Sequence, residues 1–199
     1  PDTDDDTYPD AQEVAAGTDP YLAFSRPGID MARLALGRNS ADSLGAIVSL
    51  PAGFTSPVVI LGPPTADDPA PGVLRIVDRS NIHANVRFQE WPSEDGAHGL
   101  EEFSWLAIEE GRYGTATNSI WEAGTAVVSG SSTWTSVTFT APMNNPPVVV
   151  ASLQTDASGQ ALATRVRNVT VNGFDVAVFT EEGAAPVVAA ETVGYLAVD

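Results

Sequence analysis

Val169-Thr170-Val171-Asn172-Gly173-Phe174-Asp175-Val176-Ala177-Val178 alternates apolar and polar side chains on both sides of Asn172-Gly173. Alternation with a period of two sends one set of side chains to a buried face and the other to water, which is the pattern of a strand. Asn-Gly readily takes the positive φ angles of a tight hairpin turn, so the stretch reads as two antiparallel strands. Outward from it, short segments rich in Val, Ile, Phe and Thr are punctuated by Pro, Gly, Asn and Asp from residue 21 to residue 199. No long segment repeats apolar residues at helical spacing. Pro146-Pro147 ahead of Val148-Val149-Val150 marks a strand entry, because Pro is tolerated at a strand's first position and not in its centre. The expected class is all-β.

A gapless shift of 90 residues lays 57–109 on 147–199. Identities include Pro57/Pro147, Val58/Val148, Val59/Val149, Thr65/Thr155, Arg75/Arg165, Val86/Val176, Glu101/Glu191, Leu106/Leu196 and Ala107/Ala197. Mismatches such as Ile76/Val166, Phe88/Val178, Phe103/Val193, Trp105/Tyr195 and Ile108/Val198 keep apolar character at the same phase. Such self-similarity at a fixed period is the mark of tandem units. The expected organisation is an acidic flexible arm over 1–20, a first β-sandwich over 21–113 and a second over 114–199, with Gly111-Arg112-Tyr113-Gly114 as the joint.

Charge narrows the function classes. The 199 residues carry 26 acids against nine basic residues, all Arg, for a net charge of -17. A surface this acidic repels phosphate backbones and anionic lipid, so nucleic acid is not expected as a partner. Self-repulsion costs stability unless salt screens it, which points to a protein of saline surroundings. There is no Cys, which removes disulfides, thiol catalysis and thiolate metal sites. No run of eighteen apolar residues occurs, and Pro1-Asp2-Thr3-Asp4 has neither a basic start nor an apolar stretch, so no membrane insertion and no signal peptide are expected in this sequence.

The second unit is the clearer of the two. It reads Trp134-Thr-Ser-Val137-Thr-Phe139, Pro146-Pro147-Val148-Val149, Arg165-Val166-Arg167-Asn168-Val169-Thr170-Val171-Asn172-Gly173-Phe174, then Glu191-Thr-Val193-Gly-Tyr195-Leu196-Ala197-Val198. In order and spacing these segments resemble the H-type lectin domain. That resemblance implies a six-stranded antiparallel β-sandwich, assembly as a homotrimer, and galactose-type sugar binding near protomer junctions. It also implies that the family's sugar-contacting Arg falls on Arg165, and on Arg75 by the 90-residue shift. An arginine there donates a planar fork to sugar hydroxyls; the alternative is that it pairs with Glu191 or Glu101 inside the sheet. The family's Trp then His after the Gly-Phe strand is only half met, since Trp91 precedes Pro92 and the second unit offers Glu181-Glu182.

The ligand-binding candidates are therefore Arg75, Glu90, Trp91 and His98 in the first unit, and Arg165 and Glu181 in the second. An aromatic ring stacks on a sugar's apolar face while charged groups take its hydroxyls. His98 lies in the loop Ser93-Glu94-Asp95-Gly96-Ala97-His98-Gly99 and reads as a solvated loop residue or as part of a small polar pocket. His83 aligns with Gly173 and reads as a turn residue able to take positive φ.

Neither a metal nor a cofactor is expected. Asp2, Asp4, Asp6, Tyr8, Asp10 and Glu13 fall in a calcium-loop register, but Thr7 stands where the sharp turn needs Gly and Pro9 removes a donor. Glu101, Glu102, Glu109 and Glu110 offer carboxylates for glycoside hydrolysis, yet Glu102 and Glu110 alternate with apolar residues as a wet sheet face does. No Ser with a partnering His and no phosphate loop is present, so the protein is not expected to be an enzyme. The composite expectation is a surface or virion structural protein of a halophilic system, extracellular or particle-borne, acting in assembly or in receptor or glycan contact. The alternative is a secreted carbohydrate-binding module accompanying a polysaccharide-degrading enzyme.

Overall fold

The computed structural model describes residues 1–3, 9–16, 33–114, 119–187 and 189–199. Among these, one short helix, α1 (Asp10–Ala16), precedes an all-β body. The first half holds β1 (Leu34–Ala41), β2 (Ala46–Ser49), β3 (Pro57–Pro64), β4 (Gly72–Arg79), β5 (His83–Glu90) and β6 (Glu101–Glu109). The second half holds β7 (Gly111–Gly114), β8 (Ile120–Ser129), β9 (Thr135–Thr138), β10 (Val148–Leu153), β11 (Ala163–Thr170), β12 (Gly173–Phe179) and β13 (Ala190–Val198).

Four antiparallel sheets result. In the first half they are β1-β6-β3 and β2-β5-β4; in the second, β10-β13-β8-β7 and β11-β12-β9. The strand orders correspond under the 90-residue shift, apart from the added β7. The ladders keep the same register, with Val58 opposite Ile108 and Val148 opposite Val198, and Ile76 opposite Val86 and Val166 opposite Val176. An irregularity follows Ile76 in one hairpin and Arg167 in the other. Each half has its own apolar centre between its two sheets, one around Val59, Ile76, Val86 and Phe103, the other around Phe139, Phe174, Val176 and Tyr195. Strand alternation explains the split, because every second side chain points inward.

Local differences from expectation have physical causes. The hairpin at 163–179 closes through Val171-Asn172, since Thr170 pairs with Gly173, which already belongs to β12. Gly173 is required by a close approach, because a Cβ there would lie 2.0 Å from the Val137 carbonyl oxygen. Gly173 also takes a positive φ of 154°, and Asn168, at the bulge, takes a second one of 52°. His83 is not a turn residue: it opens β5, with Nδ1 2.9 Å from Ser80 Oγ and Nε2 3.4 Å from Asp78. Gly111–Gly114 forms β7, pairing with β8 at the edge of the second half's sheet. Within the arm, α1 is helical and the Asp10 carboxylate accepts from Thr3 N and Oγ1. Much of the calcium-loop register, residues 4–8, lies outside the described residues.

The two halves are packed against each other. Val58 and Ile108 of the first half meet Tyr113, Ala123 and Leu196 of the second, joining the outer faces of β3-β6 and β8-β13 in a third apolar cluster. The contact is heterologous, meaning that different surfaces of the two halves meet. Val58 is fully buried, while its equivalent Val148 is 71% exposed and Val150 is 42% exposed.

Candidate functional site

The chemistry of this molecule is concentrated in two equivalent carboxylate nests. Glu101 begins β6 and accepts hydrogen bonds from Thr65 Oγ1, from Asp67 N at 3.2 Å and from Asp68 N at 2.7 Å. Glu191 near the start of β13 accepts from Thr155 Oγ1 at 2.6 Å, Ala157 N at 3.2 Å and Ser158 N at 2.9 Å. Both glutamates are buried. Burial pushes each carboxyl up, but the hydrogen bonds from the Thr hydroxyl and the loop amides outweigh it and hold both groups below their ordinary value. The loop after β3 or β10 is thereby tied to the last strand of its own half.

The nests differ in what closes them. At Glu191 the closing group is Arg75, delivered from the outer face of β4 in the other half. Its Nη2 lies 3.3 Å from Glu191 Oε1 and 3.3 Å from Asp156 Oδ1, and it donates to Thr155 O at 2.7 Å, while Nη1 donates to Gln160 O. Desolvation lowers the guanidinium pKa from its ordinary value, with Asp156 and Glu191 opposing the shift. Arg87 adds a second donor to Asp156. At Glu101 the closing group comes from the same half. His98 Nε2 stands 3.3 Å from Glu101 Oε1, its Nδ1 3.2 Å from Glu90 Oε1, and its ring stacks on Phe88 at 3.6 Å with planes 9° apart.

This geometry revises the sequence-derived candidates. Arg75 is fully enclosed and committed to the second half, so it has no face for a sugar. It does pair with a glutamate, but with Glu191 across the contact and not with Glu101 in its own half. His98 is not a solvated loop residue, because Phe88 and two carboxylates enclose it. Glu90 is buried with it and also accepts from Gly96 N at 2.7 Å. Trp91 is half-buried, and its carbonyl caps Glu94 N at 3.0 Å. Glu181 bonds Ser93 N and Oγ at 3.1 and 2.6 Å and is a further tie between the halves. Of the six candidates, Arg165 alone is exposed, lying over the Phe179 ring at 4.6 Å.

Beside Arg165 the structure places groups that sequence reading missed. Arg167 sits 4.0 Å above Trp134, which meets Phe179 edge-on at 5.8 Å. Asp175 takes hydrogen bonds from Ser136, Asn168 and Arg167, which hold its carboxyl below the ordinary value. Cross-strand position was the available signal, since Arg167 lies opposite Asp175 and Ser136 opposite Asp175 in adjoining ladders. Among the described residues no group of three His, Asp or Glu side chains could hold a metal ion, and no helix is long and apolar enough to cross a membrane.

No family model matches this chain, and no solved structure matches it. The chain is similar to halomucin of Haloquadratum walsbyi, with 28% identity over 163 residues. That alignment covers 76% of this chain but 2% of halomucin, so the chain spans a small piece of the length of this relative.

Proposed function

We propose that this chain is a non-enzymatic surface module of a halophilic system whose task is to build an assembly from packed β-sandwich units. The observation that carries the reading is the contact sealed by Arg75, which sinks a fully buried guanidinium of one half into the carboxylate nest of the other. Likeness to halomucin of Haloquadratum walsbyi supports the setting. The charge of -17 with no Lys supports it independently.

Surface shaving tests this directly. Protease applied to intact source cells or particles at their native salt is expected to release peptides of this chain. Recovery from the soluble interior alone overturns the reading, as does release of reducing sugar from polysaccharide by the purified protein.

Glycan contact is the second reading, favoured by the exposed cluster of Arg165, Arg167, Trp134 and Phe179. Aromatic faces and guanidinium forks suit sugar rings and their hydroxyls. A glycan array probed in concentrated NaCl with the native chain and with Arg167→Ala decides it, binding lost in the variant being the supporting result.

A further inference from the structure

We infer that the outer edge and face of β10, with Arg165, is a docking surface for a third β-sandwich unit of this same repeat, one whose glutamate nest is not closed from within. The inference stands on the repeat geometry and does not depend on where the protein resides.

The internal contact shows what this surface does. In the first half, β3 is an edge strand, and its outward groups are taken by the second half. Val59 N donates to Gln154 Oε1 at 3.0 Å, Val59 O accepts from Gln154 Nε2 at 2.7 Å, and Leu61 N donates to Ser152 Oγ at 3.0 Å. Val58 buries beside this edge and Arg75 fills the nest. Every one of these donor-side positions recurs in the second half, as Val148, Val149, Ala151 and Arg165. There β10 is likewise the edge of its sheet, in the same register, with Val148 and Val150 in water. An apolar edge strand left open is a template for pairing.

The occupant follows from the receiving side. Arg165 needs a carboxylate nest, and within this chain both are filled, Glu191 by Arg75 and Glu101 by His98. A second copy of the 199-residue chain therefore brings no open nest. A further unit like the second half does, because its nest is closed by the arginine of the unit before it. The space beside β10 fits this. A groove of about 830 Å³ runs between Val149, Val150 and Val166 on one side and Leu36, Trp105 and Leu106 on the other. Leu36 is 71% exposed and precedes Gly37, which pairs with Trp105 as Gly124 pairs with Tyr195, so it matches the buried Ala123 of the receiving face.

The test extends the chain by its own period, appending a second copy of residues 110–199 after Asp199, and compares amide hydrogen exchange in concentrated NaCl with that of the native chain. Protection of the Val149 and Ala151 amides is expected to rise roughly tenfold or more in the extended chain. Arg165→Ala or Val148→Glu in the first copy of that extended chain is expected to return it to the native rate. Both positions are exposed, so in the native chain the same variants are expected to fold and melt as the parent does. Unchanged exchange at Val149 and Ala151 in the extended chain overturns the proposal. So does self-association of the native chain, as a trimer or otherwise, that Arg165→Ala abolishes, because the occupant would then be a second copy.

Discussion

Arg75 and Arg165 occupy the same position of two hairpins in matching register, opposite Arg87 and Ala177, yet the first is fully buried between Asp156 and Glu191 and the second lies open over Phe179. Identical residues in identical local structure thus have opposite environments. What separates them is the neighbour: the first half has the second half packed on that face.

The difference predicts asymmetric mutational costs. Arg75→Ala leaves Glu191 buried without its cation and Asp156 with Arg87 alone, and should cost about 3–5 kcal/mol. Arg165→Ala removes an exposed stacking contact and should cost at most about 1 kcal/mol. Chemical denaturation of both variants in concentrated NaCl checks this, and equal losses would contradict the assigned contact.

Salt should stabilise the fold strongly. With a net charge of -17, self-repulsion is relieved as the Debye length shrinks to about 3 Å at 1 M salt. The melting temperature is expected to climb steadily with NaCl, and a flat or falling curve would remove the argument for saline surroundings.

Acid should act in the opposite sense once repulsion is screened. Glu101 and Glu191 have folded-state pKa values lowered from 4.5, so their contribution is fully present above that value and is lost as pH falls below it through the folded pKa. In concentrated NaCl, stability is expected to hold between neutrality and about pH 5, then to fall. Thr155→Val removes one hydroxyl donor to Glu191, which raises its folded-state pKa toward 4.5, so the fall should be smaller and complete at higher pH, as pH-dependent melts of parent and variant would reveal.

Gly173 should be irreplaceable where other glycines are not. A methyl group there meets the Val137 carbonyl, whereas one at Gly96 meets nothing within 4 Å. Gly173→Ala is expected to cost about 1–3 kcal/mol by forcing β12 away from β9. Gly96→Ala should cost less than this, only the strain of its φ of 82°. Thermal melts of the two variants give the comparison.

Period-two alternation was enough to determine the all-β class and a hairpin within 169–178, though not its turn residues, because these follow from local patterning along the chain. Identity at Glu101/Glu191 and Thr65/Thr155 marked the nests without showing that the side chains meet, since each pair is joined only when the last strand returns beside the loop after the third. The fate of His98 was not legible, because its loop position says nothing of the Phe88 ring beneath it or of the two carboxylates that converge on it. Tertiary packing alone decided which arginine is sealed and which is open. The sequence writes the same residue at both positions, and only the docking of one half on the other, with the burial and ion pairing it imposes, makes them different.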